Sequence, residues 1–150
     1  MKRMFNVLLI VMLSFVLVGC SSKEGSTAKE FESIMGEMDF YVNTITNDVS
    51  ASNLKVAMIA DNKKFQIEYL EFTTKKDAKS AFDSNKKIMI KNKTKKSSET
   101  QKTVGDYNSY CIETEDRYSC VASSKTTLIY TSSNVEYKKD IKKIMKKLNY

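Results

Sequence analysis

The sequence contains no histidine, no proline and no tryptophan, and only four glycines and three cysteines in 150 residues. Without histidine, a Ser-His-Asp triad, a Cys-His nucleophile pair and an imidazole-ligated metal are all unavailable. Gly19, Gly25, Gly36 and Gly105 are too scattered to cradle a phosphate, and neither a P-loop nor a Gly-x-Ser-x-Gly elbow is present. The lack of proline leaves every backbone N–H able to donate, which permits long uninterrupted strand ladders. These absences predict a protein that is not an enzyme, with no catalytic residues, no metal site and no cofactor. Carboxylate chemistry is the residual possibility. Glu68 and Glu71 have odd strand spacing and so point to opposite faces, while Glu113, Glu115 and Asp116 read either as solvated turn acids or as a calcium site. A Ser–Lys arrangement stays open, because sequence does not show which serines meet which lysines.

What is present begins with Met1-Lys2-Arg3, followed by Phe5 to Val18, apolar apart from Asn6 and Ser14. A positive start and an apolar run too short to span a bilayer, which needs about 20 residues, predict a signal peptide over residues 1–19. Leu17-Val18-Gly19-Cys20 closes it and resembles the lipobox of bacterial lipoproteins. That resemblance implies that Leu17, Val18 and Gly19 are the recognition residues, that the chain is cut before Cys20, and that the Cys20 thiol carries a diacylglycerol. It also implies a protein lipid-anchored in the cell membrane at its extracytoplasmic face. Two acyl chains meet the requirement for stable anchoring that a single chain fails.

Removing the first 19 of 150 residues leaves 131, enough for one domain with its own core. Of 25 basic side chains the leader holds Lys2 and Arg3, so 23 basic and 18 acidic groups remain, a formal excess of +5. Nucleic acid is not an expected partner outside the membrane. The polyanions there are wall polymers and anionic lipid headgroups, and lysine-rich solvation is the alternative reading of the same excess.

Residues 20–26 read as the lipidated cysteine and a polar tether, and residues 27–150 as a single domain. Thr27-x-x-Glu30 is a capping box opening a helix whose apolar residues Phe31, Ile34, Met35, Met38, Val42 and Ile45 recur at helical spacing. Gly36 inside it costs about 1 kcal/mol relative to alanine, a cost that close packing would offset. Leu54, Val56, Met58 and Ala60, then Phe65, Ile67 and Tyr69, alternate as a hairpin with Asp61-Asn62 in its turn. A second helix follows Thr73-Thr74, with Ala78, Ala81, Phe82 and then Ile88 or Met89 on its buried face. Residues 91–103 hold five lysines and no apolar residue, and read as a mobile loop or as a polyanion-binding strip. Three strands follow, Tyr107 to Thr114, Tyr118 to Ser123 and Thr126 to Ser132. The last helix aligns Tyr137, Ile141, Ile144 and Leu148 on one side and lysines on the rest. It reads as docked on the sheet, with a membrane-surface helix as the alternative. Candidate polyanion contacts are Lys91, Lys93, Lys95 and Lys96 in the loop and Lys142 and Lys146 on this helix. Tyr107, Tyr110, Tyr118 and Tyr130 read as core or sheet surface rather than as a sugar platform.

Cys111 and Cys120 remain as an even pair in an exported domain, which predicts a disulfide. If Glu115-Asp116 form a two-residue loop, Thr114 faces Arg117 and Cys111 lies opposite Cys120 as a non-hydrogen-bonded cross-strand pair. A longer loop would shift that register, and two reduced thiols are the alternative.

The expected order is α-β-β-α-β-β-β-α, an α+β domain with a roughly five-stranded, mostly antiparallel sheet and helices packed largely on one face. Residues 54–150, with the hairpin and helix of "FQIEYLEFTTKKDAKSAFDSNKK", the Thr-Leu-Ile-Tyr strand and the Lys-rich helix, also resemble small Gram-positive envelope lipoproteins ending in Leu-Gly-Tyr. Here Leu148-Asn149-Tyr150 departs at the glycine. The resemblance implies class and envelope location and transfers no activity. Export, anchoring and the absence of catalytic equipment point to a protein-binding module with an envelope or extracellular partner. An immunity or exclusion role is a special case of it, and a wall-polymer or small-ligand binder using the basic surface is the alternative.

Overall fold

The structure is a computed structural model that describes residues 23–49 and 51–150. Leu17, Val18, Gly19 and Cys20 lie outside the described residues. No described helix is long and apolar enough to cross a membrane.

Helix α1 spans Ala28–Glu37, and its capping box forms: the Glu30 N–H donates to Thr27 Oγ1, and Glu30 accepts from the Thr27 N–H at 2.8 Å. The apolar periodicity that runs on to Ile45 does not extend the helix. Asp39 adopts a left-handed φ of 62°, and the Phe40 N–H closes back onto the Met35 carbonyl at 3.0 Å. This is a Schellman stop with aspartate in the position glycine usually holds. Val42 therefore lies in strand β1, Tyr41–Thr44, and Ile45 leads into a 3-10 turn at Thr46–Asp48.

Strands β2 (Leu54–Asp61) and β3 (Gln66–Phe72) form the expected hairpin, and helix α2 (Lys75–Lys91) follows, capped by Thr74. Strands β4 (Ser98–Val104), β5 (Tyr107–Glu113), β6 (Arg117–Ser124) and β7 (Thr127–Asn134) make a second meander. A 3-10 turn at Val135–Tyr137 leads into helix α3, Lys138–Lys147. All seven strands join one antiparallel sheet in the order β1-β2-β3-β7-β6-β5-β4.

The α+β class and the antiparallel sheet agree with the sequence; the count of five strands does not. The two additional strands, β1 and β4, are the sheet edges. The segment 91–103, expected as a mobile loop, is strand from Ser98 onward. It holds no apolar residue before Val104 and is exposed nearly throughout. A strand wet on both faces has no hydrophobic alternation to read.

The helices occupy both faces, so the expectation of helices largely on one face holds only for α1 and α3. Phe31 and Met35 of α1 and Ile141, Ile144 and Leu148 around α3 pack with Met58, Ala60, Ile67, Tyr69, Ala122 and Ile129. On the opposite face Ala78, Phe82 and Met89 of α2 pack with Phe72, Tyr110, Ile112, Val121 and Leu128. Met89, not Ile88, is buried, and Ile88 is 59% exposed. A β-bulge between Leu54 and Val56 reverses the alternation there, so Leu54 joins the α2 side while Val56 and Met58 stay on the other.

Candidate functional site

Cys111 pairs with Cys120 in the β5–β6 register, with Cα atoms 4.1 Å apart and the sulfurs joined. The Thr114 N–H donates to the Arg117 carbonyl at 2.9 Å, so the loop is the two-residue Glu115-Asp116 connection. Alternation from that bonded pair puts 111 and 120 in a non-hydrogen-bonded site, where side chains come closest. The disulfide lies on the α1–α3 face, with Cys120 in the core.

The six lysines singled out by sequence do not form one patch. Lys93 pairs with Glu99 and Lys96 with Glu115. Lys142 lies 6.0 Å from the Tyr118 ring centroid on α3, across the sheet from Lys91 at the end of α2. Lys95 is exposed beside Lys96, and Lys146 lies in the last turn of α3. Tyr107, Tyr110 and Tyr118 are buried.

Among the described residues, the helices leave half of one sheet face without a helix over it. Successive strand registers align Asn43, Ile59, Glu68, Tyr130, Val121, Tyr110 and Gln101 in one row across the sheet. Residues directly opposite each other in antiparallel strands share a face. Helix α2 covers Val121 and Tyr110, but no described helix covers Asn43, Ile59 and Glu68; Ala57 on the same half is buried, its N–H donating to Thr46 Oγ1 at 3.0 Å. Beside that row Tyr41 at the edge is 75% exposed. A cleft of about 220 Å³ adjoins this open half at Tyr130, between the end of α2 and the ends of β5 to β7, with Ile88, Arg117 and Ser132 in its wall. Arg117 donates to Ser132 Oγ at 2.9 Å, which in turn meets Ser119 Oγ at 2.7 Å.

Glu68 sits in this row between Ile59 and Tyr130, and burial pushes its carboxyl above the usual carboxylate range. At the covered end of the row Tyr110 donates to Glu99 at 2.7 Å, and its phenol is pushed up to about 12, chiefly by burial. Between Ile59 and Tyr130 the half-buried Glu68 carboxylate has its charged form disfavoured by desolvation.

Glu71 lies on the other face, as its odd spacing from Glu68 requires, opposite Thr127. The hairpin acids diverge: Glu113 pairs with Lys138, Glu115 with Lys96, and Asp116 accepts from Thr114 at 2.8 Å. Among the described residues no three His, Cys, Asp or Glu side chains are grouped to hold a metal ion. Ser-x-x-Lys spacing occurs three times, at Ser26/Lys29, Ser52/Lys55 and Ser84/Lys87. Among the described residues, however, bonded serine hydroxyls meet carbonyls, the Thr94 N–H, other hydroxyls or Arg117 rather than a lysine amine.

Sequence reasoning missed the open half-face. Its signal was the mixed character of β3 at Gln66, Glu68 and Leu70, but which strands α2 covers depends on strand order. No family model matches the chain, and no curated protein is significantly similar to it.

Proposed function

We propose that this chain is an extracytoplasmic lipoprotein, held at the cell membrane by a diacylglycerol on Cys20, that works as a non-catalytic protein-binding module. The lipobox-like Leu17-Val18-Gly19-Cys20 after a short apolar run supports the anchoring. The binding role rests on the uncovered sheet half over β1 to β3, with Tyr41, Ile59 and Tyr130 as apolar contacts and Glu68 as an acceptor among them. An exposed tyrosine sharing a sheet face with Ile59 and Tyr130 has the aromatic and apolar character that interface cores favour. The partner fitting it is a protein with an apolar patch and a single donor placed to meet Glu68.

Proximity cross-linking in the native host tests both parts. Wild type, Cys20→Ser and Tyr41→Ala/Ile59→Ala chains are compared. One envelope protein captured by wild type, and lost from the surface variant while that variant stays membrane-held, is the expected result. Capture unchanged by the surface variant overturns the binding face. A Cys20→Ser chain that remains lipidated and membrane-held overturns the anchoring.

A further inference from the structure

The tether expected over residues 20–26 is docked from Lys23 onward. Ser124 Oγ donates to the Lys23 carbonyl at 2.8 Å, the Gly25 N–H to the Asn149 carbonyl at 3.3 Å, and the Tyr69 hydroxyl to the Ser26 carbonyl at 3.2 Å. Lys125 pairs with Glu24 at 3.1 Å, and Lys23 Nζ donates to the Tyr150 carbonyl oxygen. Between Cys20 and this dock stand only Ser21 and Ser22. Three extended steps reach at most about 10 Å, comparable to the Debye length at physiological salt of about 8 Å. The end of the domain at the dock is therefore confined to the headgroup field, given the anchoring reading of Cys20 above.

That end carries the β4–β5 and β6–β7 turns and the first turns of α2. Between them lies a cleft of about 370 Å³ whose walls include Lys75, Lys76, Lys79 and Lys125 against one carboxylate, Asp106. Asp106 pairs with Lys75, Lys79 with Asp83, and Lys125 with Glu24, while Asp77 is held by Thr74. Lys102 adds charge beside Lys23 and lowers the Lys23 ammonium's pKa, after the larger effect of burial. Surface pairs of this kind are weak and exchange readily for phosphate oxygens.

We propose that this lysine-walled cleft, and not the adjoining one at the dock whose lining includes Glu24, Glu30 and Glu71, lies against the anionic phospholipid headgroups of the membrane that holds Cys20. The anchor then fixes an orientation as well as a location: the strands run away from the bilayer, and the open half of the sheet faces sideways, clear of the lipid.

The test uses the full lipidated chain in vesicles of phosphatidylcholine with or without phosphatidylglycerol, and in detergent. Lysines are acetylated with a water-soluble reagent and read by mass spectrometry, and the Cys20 peptide is weighed in the same run. The expected result is a severalfold loss of acetylation at Lys76, Lys102 and Lys125 on phosphatidylglycerol vesicles. Lys63, Lys64 and Lys95, at the opposite end, stay fully reactive. Equal protection on neutral vesicles overturns the headgroup contact, as does protection of the far lysines or protection by soluble anionic wall polymer instead of vesicles. A Cys20 peptide without diacylglycerol overturns the anchor and this orientation together, and the mass separates that failure from the others. Lys76→Glu/Lys125→Glu, which leaves the lipidation sequence intact, is expected to remove the protection of Lys102 without releasing the protein.

Discussion

Gly25 lies against the ring of Tyr150, 125 residues further along the chain, so that a Cβ at position 25 would sit 2.8 Å from the ring carbon bearing the hydroxyl. Its φ of +69° is also one that glycine adopts at little cost. The first described residues are thereby locked to the last, with Tyr150 buried and its hydroxyl bonded to Thr127.

Gly25→Ala is expected to lose this dock, because both the backbone and the ring must move. The left-handed conformation alone costs a non-glycine residue about 1–2 kcal/mol. Limited proteolysis checks it: residues 23–26 become cleavable while the rest of the domain stays resistant. An unchanged digestion pattern would show that the close approach is not needed.

Gly36→Ala is expected to stabilise the protein. The sequence alone allowed that Gly36 serves close packing, but nothing lies within 4 Å of a Cβ built there, and its φ is not left-handed. Helix propensity then acts unopposed, worth about 1 kcal/mol, and the gain is read as a shift in the urea unfolding midpoint. A loss of stability would mean a neighbour does approach this face of α1.

Replacing Cys111 and Cys120 together by serine removes a crosslink between residues nine apart. The loop-closure model assigns a loop of this size about 2.5 kcal/mol. Because Cys120 is in the core, a buried hydroxyl adds to the loss. Equilibrium unfolding of the double variant, compared with wild type under reducing and oxidising conditions, checks the value. Agreement of reduced wild type with the variant would attribute the loss to the bond itself.

Glu68 provides a pH signature. Burial raises its pKa in the folded state, so folding binds a proton more readily there than the unfolded chain does. Its contribution is favourable below the ordinary glutamate range and is lost as pH rises through the raised value. Glu30, Asp61, Asp77 and Glu99 run the other way, lowered chiefly by hydrogen bonds, so their contributions vanish on acidification. Glu68→Gln is thus expected to raise Tm at neutral pH, with the difference closing as pH falls through the carboxylate range. A difference that is constant with pH would sink this account.

The local sequence by itself determined the elements whose signals are local. The capping box placed the start of α1. Alternation through Phe65, Ile67 and Tyr69 placed β3, and two-residue turn arithmetic put Cys111 opposite Cys120. Asn149 is intelligible in the same terms once its φ of 59° is known, because asparagine is the usual substitute where a helix ends in the left-handed region. Tertiary structure decided the rest. Edge strand β4 has no apolar pattern, because neither of its faces is buried. The stop at Asp39 turned a continuous helical periodicity into helix plus strand, and Val42 there pairs with Ala60 in the sheet and packs against the α1–α3 core. Strand order, which no local signal encodes, set β3 beside β7 and confined α2 to one half of its face. The uncovered half, and the docking of residues 23–26 against a tyrosine far along the chain, follow from those long-range pairings alone.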